Sequence, residues 1–153
     1  KKFLLNPKEI LLIIIGQKDI YQTMPYEIKF FNSISSGNSE KLRSIYSSAD
    51  VLLAPSILEA QGQVAVEALS CGLPTVGFRQ TGFSDVIIHK ETGYLAEYLD
   101  QNDFNNGLNY VLKKIEADKD FFKENCQNFV KNNFSSEIVA KQYIDNYKRI
   151  LNI

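Results

Sequence analysis

Residues Ile10–Ile15 read ILLIII, an unbroken apolar run of six side chains, four of them β-branched, closed by Gly16. A half-solvated strand alternates apolar with polar residues. An uninterrupted run of this length instead suits a strand covered on both faces, as in a parallel sheet. Ile28–Phe31 (IKFF), Val51–Ala54 (VLLA, ended by Pro55), Thr75–Phe78 and Gly93–Ala96 read as four further short strands. Helical patterns lie between and after them. Ser39–Ser48 places Leu42, Ile45 and Tyr46 at helical spacing behind Ser39 as N-cap, and Gly62–Cys71 is stopped by Gly72 with Pro74 just beyond. Asp103–Glu116, Lys119–Lys131 and Ser136–Leu151 complete the chain, with Ile138, Val139, Tyr143 and Tyr147 on one side of the last. The alternation predicts an α/β fold: a Rossmann-like parallel β-sheet flanked by helices, with a helical C-terminal tail. Phe121, Phe122, Phe129 and Phe134 read as helix packing, and Tyr46 as core.

Size and charge narrow the function. A chain of 153 residues makes one domain with a proper core. Seventeen basic residues face eighteen acidic ones, so net charge gives no reason to expect nucleic acid or an anionic membrane as partner. Cys71 and Cys126 form no metal-type spacing with the single histidine, His89; they read as reduced thiols of a cytoplasmic protein, with no metal site. His89 reads as a surface residue, and Arg79 as a solvent-exposed arginine. No apolar run approaches the length of about 20 residues that spans a bilayer. Lys1-Lys2 precedes too short an apolar stretch for a signal peptide, and the chain opens without methionine, so it is expected to be a piece of a longer protein.

The segment Pro55–Pro74, PSILEAQGQVAVEALSCGLP, carries the chemistry. It leaves the C-terminal end of a strand, loops, and enters a helix at about Gly62. In open α/β sheets ligands bind in the crevice outside the carboxyl ends of the strands. A helix start offers unpaired N–H groups and the positive end of the macrodipole to an anion. Gly62 lets the backbone of Gly62, Gln63 and Val64 approach such an anion closely. Glu59 precedes the helix and Glu67 lies inside it, sharing its turns with Val64, Ala68 and Leu69, which read as buried. A partly buried acid needs donors, and sugar hydroxyls are donors. Spacing alone leaves a second reading open, in which Glu67 is a solvated helix residue and Glu59 a capping or loop acid.

This segment resembles the signature of glycosyltransferase family 4, the group 1 enzymes of the GT-B fold. Pro55-Ser56, Glu59, Gly62, Glu67-Ala68, Gly72 and Pro74 match it, with Leu42–Asp50 upstream and Thr81–Asp85 and Glu91–Leu95 downstream. Coverage runs from about Ile10 to about Leu112. The resemblance implies the C-terminal, donor-binding half of a retaining glycosyltransferase over 1–153, with the N-terminal acceptor domain absent and the isolated chain inactive. It implies that Glu59, the catalytic acid, contacts the transferred sugar, that Glu67 holds the ribose hydroxyls, and that the amides after Gly62 receive the diphosphate. It places Asn32, Ser33 and Ile34 at the nucleobase and Gly82-Phe83 near the sugar.

No cofactor or metal is implied, only a UDP- or GDP-linked sugar as co-substrate. The acceptor would be a glycan or a lipid-linked glycan held by the missing domain, and the full-length protein would associate peripherally with the membrane. Two departures stand out: Gln61 and Gln63 take the places of a common aromatic and aliphatic residue, which bears on donor choice, and Asp85 stands where glutamate is frequent. The family's basic diphosphate clamp precedes Ile10, and its role is not carried over to Lys1 or Lys2. A GT-B epimerase or phosphorylase, and a non-catalytic module that docks a protein partner, are the rival readings.

Overall fold

The structure, a computed structural model, describes residues 6–16, 24–34 and 38–152; Lys1 and Lys2 lie outside them. The chain divides into two units, residues 1–45 and 46–153.

In the first unit, β1 (Leu11–Ile15) pairs in parallel with β2 (Glu27–Phe31), from Leu11 opposite Glu27 to Ile15 opposite Phe31. Among the described residues the two form a sheet of their own, so the ladders make two parallel sheets rather than the single one expected. The apolar run of β1 is not covered throughout: its middle three residues are half-buried, but Leu11 and Ile15 at its two ends are exposed. Helix α1 (Ser39–Ser48) begins in this unit and carries Tyr46 into the second.

The second unit holds the core. Strands β3 (Leu52–Ala54), β4 (Thr75–Phe78) and β5 (Gly93–Ala96) run parallel in that order, with β4 central and all four of its residues buried. Strand β3 begins at Leu52, one residue later than expected, and ends as expected before Pro55, since a proline cannot donate to a ladder. Helix α2 (Gln63–Ser70) returns the chain from β3 to β4, burying Ala65, Ala68 and Leu69. Ala68 and Leu69 are buried as expected, whereas Val64 is exposed and Ala65 takes its place in the core. Helix α3 (Gln101–Ala117) starts earlier than Asp103 because Asp100 caps it, accepting the amides of Asn102 and Asp103 at 2.8 and 3.1 Å. Helix α4 (Phe121–Phe134) starts later than Lys119, whose neighbours Asp118 and Asp120 form a turn. It buries Phe122 and Cys126 against Val76, Val86 and Val111, with Phe121, Phe129 and Phe134 packed around them.

Both cysteines are free, and burial pushes the Cys126 thiol up to about 12. Helix α5 (Ser136–Leu151) leans on α4 and buries none of its residues. Ile138 and Val139 are half-buried, whereas Tyr143 and Tyr147, expected on the same apolar side, are exposed. Among the described residues, no helix is long and apolar enough to cross a membrane.

Candidate functional site

Beyond the C-terminal end of β3, the loop to α2 is tied to itself and to the turn after β4. One carboxylate oxygen of Glu59, Oε1, accepts the N–H of Gly62 at 3.0 Å and that of Gln61 at 3.3 Å. The Glu59 carbonyl accepts the Gly82 N–H at 2.7 Å. Gly82 presses so closely on the loop that a Cβ there would sit 2.6 Å from Ala60 C and Gln61 N. Phe83 follows in a 3-10 turn, Gly82–Asp85, capped by Thr81, whose Oγ1 accepts the Phe83 amide at 3.3 Å and donates to the Phe78 carbonyl at 2.8 Å. The Phe83 ring is fully buried beneath Gly62.

Gly62 adopts the left-handed conformation at φ 70° and ψ 34°, which glycine reaches without steric cost. The helix therefore starts at Gln63, one residue later than expected. Gly62 O accepts the amides of Ala65 and Val66 at 2.9 and 3.1 Å. The amides of Gln63 and Val64 find no acceptor among the described residues. Both residues are exposed, so two bare N–H donors stand at the positive end of α2.

Glu67 lies on α2 with its side chain exposed, not partly buried as expected, because the helix turns Ala65, Ala68 and Leu69 inward. Its Oε2 accepts the Tyr46 hydroxyl at 3.3 Å. Tyr46 is buried, and burial, then the negative charge of Glu67, raises its hydroxyl to about 12. The spacing of Tyr46 in the sequence predicts packing alone; the bond to Glu67 is an addition. The available signal was general: a buried tyrosine hydroxyl requires a partner.

The structure thus gathers Glu59, Gly62, Gln63, Val64 and Gly82 at one mouth, with Glu67 further along the same helix. The Phe83 side chain faces the core instead of the opening. Asn32 and Ser33, exposed, and Ile34, half-buried, follow β2 in the first unit. Arg79 is ion-paired to Glu97 at 3.2 Å. His89 is half-buried instead of superficial: its Nδ1 accepts the Leu95 amide at 3.2 Å and its ring lies 4.5 Å from that of Tyr94. Burial, then Arg79 and Lys90, lowers its pKa. No group of three or more metal-ligating side chains occurs among the described residues.

Comparison with known proteins agrees with this architecture. The sequence profile of the family described as Glycosyl transferases group 1 matches residues 2–133. N-acetyl-alpha-D-glucosaminyl L-malate synthase of Bacillus anthracis is 31 % identical over 115 residues, covering 75 % of this chain and 30 % of that protein. The chain thus spans under a third of that relative's length. Sucrose-phosphate synthase from Thermosynechococcus elongatus superposes with a TM-score of 0.69 at 26 % identity, over 92 % of this chain and 38 % of the other. Anabaena HepE, solved in complex with UDP-glucose, superposes with a TM-score of 0.65 at 19 % identity, over 80 % and 32 %. The fold is that of the GT-B glycosyltransferases: parallel-strand sheets flanked by helices, with a helical C-terminus.

Proposed function

The chain belongs to the glycosyl transferases group 1 family, and from that premise we propose that it binds the donor in transfer of a sugar from a UDP- or GDP-linked nucleotide to a glycan or lipid-linked acceptor. The observation that carries this reading is the pair of bare amides, Gln63 and Val64, at the start of α2. A diphosphate set there would gain two N–H donors and the helix dipole, and developing charge on the leaving group would meet donors already in place. Glu67 stands further along the helix with one oxygen held by Tyr46 and the other open to a vicinal diol, which suits a ribose. Glu59 is the acid assigned to the transferred sugar, and Asn32, Ser33 and Ile34 are the residues assigned to the base. The complex of HepE with UDP-glucose supports a nucleotide-sugar donor.

The finer parts of the proposal follow the family resemblance. Transfer retains the anomeric configuration, no resident metal is needed, and 1–153 is the donor domain of a two-domain enzyme whose other half holds the acceptor. That enzyme is placed in the cytoplasm, peripherally at the membrane. Donor and acceptor must be held together for reaction, so the 153-residue chain alone binds donor without transferring sugar.

Calorimetry with UDP and GDP tests the site. Millimolar or tighter binding of one nucleotide is expected, with clear weakening in Glu67→Ala. Failure of both nucleotides to bind, or an unchanged affinity in the variant, would remove the assignment.

A further inference from the structure

We propose that Glu59 is a positioning residue for the anion site: its carboxylate clasps the loop that aims the Gln63 and Val64 amides, whether or not a sugar is present. The inference rests on the donor reading above and adds a role distinct from sugar contact. Its basis is geometric. Glu59 Oε1 takes both the Gln61 and Gly62 amides, at 3.3 and 3.0 Å, closing a tight loop from residue 59 to residue 62. Gly62 is the residue whose left-handed backbone sets where the next two amides point. Behind the clasp the loop is fixed by the Gly82 amide on the Glu59 carbonyl at 2.7 Å and by the Phe83 ring under Gly62. The same residue is therefore held by its main chain from one side and holds the helix mouth with its side chain from the other.

The clasp divides the four N-terminal donors of the region into two classes. Gln61 and Gly62 are saturated by the chain's own carboxylate; Gln63 and Val64 are left for a ligand. A carboxylate in this place also carries a cost. It satisfies amides as a neutral acceptor would, but its charge repels an incoming diphosphate. Position and charge therefore have opposite effects on affinity and can be separated by substitution. Glutamine keeps the acceptor oxygen and removes the charge, whereas alanine removes both.

Binding of UDP and GDP, neither of which carries a sugar, is measured by calorimetry on the 153-residue chain and on its Glu59→Ala and Glu59→Gln variants. Exchange of the Gly62 amide proton is followed in parallel by NMR. Glu59→Ala is expected to weaken nucleotide binding about ten-fold, the scale of a lost hydrogen bond to a charged group, and to speed Gly62 exchange. Glu59→Gln is expected to restore slow exchange and to bind about five-fold tighter than the parent, the scale of one repulsion near 4 Å in water. A residue that served only the sugar would leave nucleotide affinity unchanged, or raise it equally in both variants through the lost charge, and either result overturns the proposal. So does Gly62 exchange that ignores the alanine substitution, and so does a glutamine variant that behaves like alanine. If the parent chain binds neither nucleotide while Gly62 exchange responds as expected, the donor reading falls and the clasp survives only as local structure.

Discussion

The junction between the Glu59–Gly62 loop and the Gly82–Phe83 turn differs from helix α5 in how each is held. At the junction, backbone meets backbone: the Gly82 amide bonds the Glu59 carbonyl, and no side-chain atom would fit on Gly82. Phe83, fully buried, supports the loop from below. In α5 no residue is buried, and Tyr143, Ile144, Tyr147 and Ile150 are all more than half exposed. One region has a single arrangement enforced by main-chain contact. The other is a helix by local pattern, with Ser136 and Glu137 at its start and Lys148 and Arg149 at its end, as the helix dipole favours. Contact that leaves no room for a Cβ tolerates no substitution; an exposed stripe tolerates many.

The largest effect should come from Gly82→Ala. Its Cβ would lie 2.6 Å from two main-chain atoms of the facing loop, which cannot give way as the end of a flexible side chain could. The expected loss is about 3 kcal/mol, the upper end of what overpacking costs. In a chain of this size that lowers the melting temperature by about 6–12 °C. Thermal unfolding followed by circular dichroism reads it. A melting temperature within a degree of the parent's would erase the contrast between the two regions.

Next in size is Tyr46→Phe, which asks whether the tightly held character of the mouth extends to Glu67. Removing the hydroxyl frees Glu67 Oε2 from a 3.3 Å bond and leaves the buried ring in place. Stability should fall by about 1 kcal/mol or less, and UDP affinity by roughly three-fold, because the carboxylate loses one tether. A spectroscopic companion uses Glu67→Gln. The Tyr46 hydroxyl, at about 12 in the parent, should titrate lower in the variant yet stay above its ordinary 10.0, since burial is the larger cause. Ultraviolet titration that leaves it unmoved would dissolve the pair.

Sequence pattern reached the elements more readily than their faces. Five short strands and five helices were legible because strand runs are contiguous, helices recur at every third or fourth residue, and Gly72 and Pro55 punctuate them, whereas the cap at Asp100 was missed. The division into two sheets was not legible, since a ladder depends on partners that periodicity does not name. In α2 only the inward residue of the first turn was misread: VAVEAL is apolar at five of six positions, so the pattern leaves open which of Val64, Ala65 or Val66 turns inward. At the site, the glycine and the two acids stood out by residue type and order. That Glu59 turns back on its own loop was open in the sequence as the reading of a capping or loop acid, but sequence could not choose it, because a side chain's choice between a ligand and a neighbouring amide is made by geometry. The partners of His89 and Tyr46 were hidden for the same reason.

His89 sharpens the comparison at a third place, the outer side of β5. Its Nδ1 acts as acceptor for Leu95, which requires the neutral ring, and burial with Arg79 and Lys90 lowers its pKa while Asp103 opposes them. With the folded value below the unfolded one, the unfolded chain takes up the proton first. The contribution is therefore fully present above the ordinary value of 6.5 and is lost as pH falls from there through the folded value. Denaturant unfolding near pH 7.5 and near pH 5 should show a drop that is smaller in His89→Gln. Equal slopes would mean that the edge of β5 relaxes around the charged ring, as the loosely held part of the molecule would.

The smallest effect is expected where exposure is greatest. Tyr143 and Tyr147, 59 % and 61 % exposed, touch each other at 6.4 Å between ring centres. Replacing both by glutamine, a good helix former, should leave stability within about 0.5 kcal/mol of the parent, as for other surface substitutions. Ile138 and Val139 are the half-buried residues of α5, and every residue from Ala140 to Leu151 is exposed. Circular dichroism and thermal unfolding of the double variant decide this. A loss comparable to that of Gly82→Ala would mean that the stripe is held as firmly as the junction, and the two regions would then obey one rule.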